Sequence, residues 1–201
     1  MAFIGMRNVI AAKITGETEY AVPAYGASFT VGKAIQGNLS INRGDNPLYA
    51  DDAIAENDNG VTGMSLEIGV DDITEATLAN IGLLTAVTGS GSTATSYVET
   101  DEAAMPVGVG YIRVRRKAGV TTYQVIWYYK VLFGRTAENS QTKGETIEWQ
   151  TPTITGDVIP VDITVDDLVK RVYRSIKNFD TYSDALTALR AYALQNPGTG
   201  N

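Results

Sequence analysis

The chain has 201 residues, with 16 Lys and Arg against 23 Asp and Glu, and it contains neither histidine nor cysteine. That composition excludes disulfides, thiolate nucleophiles, Cys- or His-ligated metals and every triad built on imidazole, leaving carboxylates, Lys or Tyr for any catalysis. The net charge of −7 argues against a surface that wraps nucleic acid by neutralising phosphates.

No apolar run reaches the ~20 residues that span a bilayer, Met1–Arg7 holds no signal-peptide core, and the absence of cysteine fits a cytoplasmic folding site. Residues 1–28 read as an irregular arm, with a short strand over Val9–Ile14 and punctuation at Pro23, Gly26 and Ser28. From Phe29 to Ile41 the pattern alternates: Phe29, Val31, Ile35, Leu39 and Ile41 share one face, which predicts one long, half-buried strand. The stretch 43–60 is polar, acidic and turn-rich, too long for a tight hairpin. Alternation resumes at Met64, Leu66, Ile68 and Val70, so the segment reads as an extended hairpin with a protruding tip over 42–62.

Residues 71–84 change period and suit a short helix capped by Asp71, Asp72 or Thr74. Gly89–Thr93 reads as a flexible loop. Val107–Arg116 and Val120–Phe133 form the clearest hairpin, joined by a three-residue turn at Lys117-Ala118-Gly119. The second of these strands is rich in Tyr, Val, Ile and Trp on both faces, which places it centrally and covered on both sides. A further strand is expected over 146–154, with Ile147 and Trp149 on one face. Residues 165–179 fit a helix through Leu168, Val169, Val172 and Ile176, and equally a strand through Val172, Arg174 and Ile176. Residues 183–195 form an amphipathic helix with Ala185, Leu186, Leu189, Tyr192 and Ala193 in its stripe, stopped by Pro197-Gly198. The sum is an α+β, mainly β chain: one domain built as an antiparallel sandwich or barrel with a flanking helix.

Charge is unevenly distributed. From Gly44 to Ile112 there are twelve acids and no Lys or Arg, whereas from Arg113 onward twelve bases meet nine acids. Such asymmetry suits head-to-tail self-association or the repulsion of a polyanion. The acids Asp45, Asp51, Asp52, Glu56 and Asp58 lack the spacing of a calcium loop, and Asp45-Asn46-Pro47 breaks it, so a loop tip or an inter-subunit contact is the simpler reading. Arg113, Arg115 and Arg116, with Lys117, make one basic strand end, too short for a nucleic-acid face and suited to pair with those acids across strands or subunits. Asp71-Asp72 reads as a helix cap. Gly108 and Gly110 lack the strand-to-helix setting of a phosphate loop and suggest close backbone approach. Asp157, Asp162, Asp166 and Asp167 supply carboxylates but no identifiable hydrolase pair, and the tripeptide Arg43-Gly44-Asp45 is too short to signify adhesion.

Several stretches together resemble one family. Phe3-Ile4-Gly5-Met6-Arg7-Asn8, Leu48-Tyr49-Ala50-Asp51-Asp52 with Ala53-Ile54-Ala55-Glu56, Met105–Tyr111, Tyr128–Phe133 and Thr142–Pro152 resemble, in order and spacing, segments of the major tail (tail tube) proteins of long-tailed bacteriophages and prophages. The resemblance implies a single tube-forming domain over 1–201, with hexameric rings stacked into a conduit for DNA ejection. It favours strand over helix for 165–179. It also implies no enzymatic activity and no cofactor. The implied partners are further copies of the chain and, at the ends of the tube, tape measure, tail terminator and distal tail proteins, in a virion assembled in the host cytoplasm. Asp45, Tyr49, Asp51, Asp52, Glu56, Asp58, Arg113, Arg115 and Arg116 are the expected inter-ring or inter-subunit contacts. An acidic lumen would let DNA pass without holding it. Two other readings remain open: the tube of a contractile tail or tailocin, and a carbohydrate- or receptor-binding sandwich using Tyr49, Tyr111 and Trp127 as a stacking platform.

Overall fold

A chain so rich in alternating β-branched and aromatic residues is expected to build its core from strands. The computed structural model describes residues 2–50, 53–58, 60–88, 95–101, 103–134 and 151–194. In chain order its elements are β1 (Ala2–Gly16), β2 (Ala24–Gly32), β3 (Ala34–Arg43), β4 (Asn46–Ala50), β5 (Ala53–Asp58), β6 (Val61–Val70), α1 (Glu75–Asn80), β7 (Thr85–Thr88), β8 (Thr95–Val98), β9 (Val107–Lys117), β10 (Val120–Phe133), β11 (Thr153–Val158), β12 (Val161–Val165), β13 (Leu168–Val172), β14 (Arg174–Phe179) and α2 (Tyr182–Tyr192).

The main sheet is antiparallel and has eight strands in the order β2-β1-β9-β10-β11-β6-β3, with β14 also on β10. β10 is the branch point. Its residues Tyr123–Tyr128 pair with β14, while Val131–Phe133 pair with β11. The strand therefore belongs to two layers at once, and the sheet folds over into a sandwich. One core lies between the layers: Val107, Val109 and Tyr111 of β9 and Ile126 and Tyr128 of β10 meet Leu66, Ile68, Val70 and Ile154. The opposite face of β9 and β10 presents Ile112, Val125 and Trp127 to Ala185, Leu189 and Tyr192 of α2. A strand covered on both faces is what the composition of 120–133 predicted.

Gly108 and Gly110 make room for the largest buried side chain. Trp127 sits opposite Gly110 in the ladder, and a Cβ on Gly108 would lie 2.5 Å from the Tyr25 ring and 2.6 Å from the Trp127 ring. The indole stacks on Tyr192 (centroids 5.8 Å, planes 7° apart) and takes the edge of Tyr25 at 5.3 Å. The Tyr25 hydroxyl donates to the Tyr129 carbonyl at 2.7 Å, and burial pushes the Tyr25 phenol above its usual range.

Several expectations are corrected. The irregular arm over 1–28 is instead β1 and the start of β2, with β1 paired to β2 on one side and β9 on the other. Register shifts between Phe3 and Gly5 and between Arg7 and Ile10, with Asn8 at φ 54°, reset the side-chain alternation and hid the strand. The single strand over 29–41 is two, broken at Lys33. There the Lys33 amide donates to Asp71 Oδ1 at 2.7 Å and its carbonyl accepts from the Asp71 amide at 3.0 Å. β2 then pairs with β1, and β3 with β6. Asp71 is thus a corner latch. The cap of α1 is Thr74, whose hydroxyl accepts from the Thr77 amide at 3.2 Å.

The β9–β10 turn has two residues, Ala118 (φ 48°) and Gly119 (φ 83°), closed by the pair Lys117 and Val120. Residues 168–179 are strands, and Asp166 and Asp167, both at positive φ, form the two-residue turn between β12 and β13. The β7–β8 pair was not foreseen, and most of the strand expected over 146–154, with the loop 89–93, lies outside the described residues. α2 matches its predicted stripe; Thr181 caps it, accepting from the Asp184 amide at 3.1 Å and donating to the Asp184 carboxylate at 2.7 Å.

Two outcomes follow. Gly110→Val forces a branched side chain against Trp127, the Ile126 carbonyl and Leu189. It should cost about 1–3 kcal/mol in urea unfolding; a value near zero contradicts the packing described. The amide of Lys33, first among its hydrogen-bond partners, holds the Asp71 carboxyl below its ordinary range. A carboxyl lowered in the folded state stabilises above its unfolded value and loses that contribution as pH falls through the folded one. Asp71→Asn should therefore be less stable than wild type near neutrality, the gap closing below about pH 4. A gap unchanged by acid contradicts the latch.

Candidate assembly surfaces

Alternation along β9 carries Arg113 and Arg115 onto the face of Val109 and Tyr111, and Arg116 onto the face of Ile112. The core covers the row only to Tyr111, so Arg113 and Arg115 are half-buried at its margin and Arg116 is exposed. The register sets Met6 and Gln124 beside Arg113, and Phe3 and Thr122 beside Arg115. The Arg113 guanidinium lies 3.6 Å from the Phe3 ring centroid and that of Arg115 5.4 Å, a cation–π cluster around one aromatic ring. Arg115 Nη1 donates to Asn178 Oδ1 at 3.3 Å, which also accepts from Gln124 Nε2 at 3.0 Å. Arg115 Nε is buried and makes no hydrogen bond. Arg174, on the same face of β14, donates to the Tyr128 hydroxyl at 3.3 Å. Among the described residues no carboxylate pairs with Arg113, Arg115 or Arg116. Among the described residues the face is cationic and ordered by neutral partners.

The expected acidic contacts lie elsewhere. Asp45 is exposed at the root of the β4–β5 hairpin, which prolongs β3 and β6; Gly44 donates to the Gly60 carbonyl at 2.8 Å to continue the ladder. Within the hairpin Tyr49 stands opposite Ile54, Glu56 opposite Leu48, and Asp58 opposite Asn46. Asp51 and Asp52 lie outside the described residues. The structure therefore gathers Arg113 and Arg115 on one sheet face with Arg174, puts Arg116 on the other, and carries Asp45, Glu56 and Asp58 on a separate hairpin. Sequence reading found both groups but missed Phe3, Gln124, Asn178 and Arg174, which reach the arginines only through cross-strand register.

Sheet edges form a second surface. β2 and β3 end the strand order, and β14 pairs only with β10 among the described residues. β3 is ten residues long, and Ile35 and Ile41 on it are 50% and 40% exposed. Long edges with apolar side chains are templates for pairing with another chain.

An open cleft of about 440 Å³ is lined by Glu17, Glu19, Tyr20, Pro160 and Asp162. Two of its three acids are already in ion pairs, Glu17 with Lys130 at 2.5 Å and Asp162 with Arg171 at 3.1 Å. Tyr111 and Trp127 cannot form a sugar-stacking platform: both are buried, and they face different cores. Burial also drives the Tyr111 phenol well above its ordinary range, so it stays protonated and is no general base at neutral pH. Among the described residues no group of acids could hold a metal ion, and no helix is long and apolar enough to cross a membrane.

No protein-family model matches this sequence, and no curated protein matches it.

Proposed function

We propose that the chain is a structural protomer that assembles with copies of itself into rings stacked as a tube, in the manner of the tail tube proteins it resembles. The observation that carries the reading is the long, exposed edge of β3, lying at the end of an antiparallel sandwich and continuing into an acidic hairpin. Among the described residues no strand pairs with this edge; closure of a ring by strand pairing would cover it. The β4–β5 extension then supplies reach toward a neighbouring ring. The function is contact between subunits, with no reaction and no cofactor, and the lumen passes DNA because acidic walls repel phosphate. On this reading the tube is part of a virion tail, its two ends meeting the tape measure, terminator and distal tail proteins. The sandwich with its α2 cover would be the tail-tube fold.

Electron microscopy of the purified chain tests this. Rings or tubes with a central pore should appear, and strict monomers at high concentration would overturn the reading. Removal of residues 46–59 with a short Gly-Ser bridge should leave the melting transition within about 4 °C of wild type. Rings should survive while stacking weakens. Tubes of undiminished length and yield would remove the hairpin from the stacking contact.

A further inference from the structure

We infer that the arginine face at the ends of β1, β9, β10 and β14 is the receptor for the acidic β4–β5 hairpin of a second copy, an inference that rests on the self-assembly proposed above.

Three observations converge on that occupant. The first is charge complementarity. Residues 44–60 carry Asp45, Asp51, Asp52, Glu56 and Asp58 and no Lys or Arg, while the receptor face carries Arg113, Arg115 and Arg174 and holds no paired carboxylate among the described residues. The second is preorganisation. Phe3 lies against both Arg113 and Arg115, Asn178 fixes one Nη1, and Tyr128 fixes Arg174. These partners are neutral, so they orient the guanidinium groups without neutralising them, and side chains already ordered lose less freedom on binding. The third is unused donor capacity. Asn178 takes one N–H of the Arg115 guanidinium, which carries five donors in a fork that suits a carboxylate.

The hairpin projects from the ends of β3 and β6, and among the described residues β4 and β5 pair only with each other. β5 is six residues long, so the hairpin reaches about 20 Å past its root. A surface of one sign meeting a projection of the other also fixes register and suppresses wrong pairings.

Two charge-reversed chains test this directly. The first carries Arg113→Glu and Arg115→Glu; the second carries Glu56→Arg and Asp58→Arg. Each alone should raise the concentration needed for assembly by about tenfold or more, read by sedimentation and electron microscopy. An equimolar mixture should restore assembly, because each hairpin then meets a receptor of opposite sign. Wild-type assembly should weaken with added salt. Since Glu at 113 and 115 could disturb the fold, Arg113→Gln with Arg115→Gln serves as a milder variant, expected to keep the wild-type melting temperature and still assemble poorly. If wild type assembles and the variants assemble equally well, or if the mixture gives no rescue, the receptor assignment is overturned while the tube reading stands. If wild type stays monomeric throughout, both fall.

Discussion

Almost everything in this molecule depends on β10 being covered on both faces and shared along one edge. Its side chains alternate between two cores, so the strand is held from above and below by different sets of residues. Its edge is divided between β14 and β11. At the division the Tyr129 amide donates to the Tyr173 carbonyl, and the Lys130 carbonyl accepts from Ile159. Were the edge occupied by one strand throughout, the sheet would stay open and Leu66, Ile68 and Ile154 would have no opposite wall. The glycines of β9 follow from the same constraint. Trp127 can lie flat because its neighbours on β9, Gly108 and Gly110, have no side chains, which lets α2 approach closely enough for Tyr192 to stack on the indole.

What the sequence disclosed divides along a physical line. Features set within a short window were readable. The β9–β10 hairpin announced itself through the Lys117-Ala118-Gly119 turn and the aromatic run after it, α2 through its stripe and the Pro197-Gly198 stop, and the close approach at Gly108 and Gly110 through their lack of a strand-to-helix setting. Features set by distant partners were not. Lys33 looks like any position in an alternating run, and only Asp71, 38 residues away, makes it a corner. β1 concealed itself because two register shifts and the left-handed Asn8 put its apolar residues out of phase. In β12–β13 a turn of two aspartates carries none of the glycine that signals such a hairpin. The candidate surface behaves alike. Arg113, Arg115 and Arg116 stand out as a charge cluster, yet their separation onto two faces follows from strand parity, and the environment of Phe3 and Asn178 exists only once β1 and β14 are in register.

The charge asymmetry acquires a spatial meaning from this arrangement. Acids without bases over 44–112 could have been spread over one protomer's surface as a solubilising coat. Instead Glu67 is drawn into neutral contacts with Gln36 and Asn38 on the outer side of β3–β6, and Asp71 into the corner. These carboxylates serve local structure. The hairpin acids differ, because the chain places them on a two-stranded extension whose ladder is made within itself. On the other side, Glu17 and Asp162 account for Lys130 and Arg171, while the arginines of β9 rest on an aromatic ring and an amide.

Neutral partners beneath an arginine have a consequence for its energetics. An exposed ion pair gains little because both ions give up good hydration for a screened attraction. A guanidinium already half-desolvated by Phe3 and the β9 backbone has lost part of that hydration during folding, so a carboxylate arriving later displaces less water and meets a lower local dielectric. The cost of that desolvation is met on folding, and under the proposed assembly the gain is realised only when a second chain supplies the anion. Among the described residues a half-buried cation has no counter-ion and an edge strand has no partner, the pattern that the proposed assembly would complete.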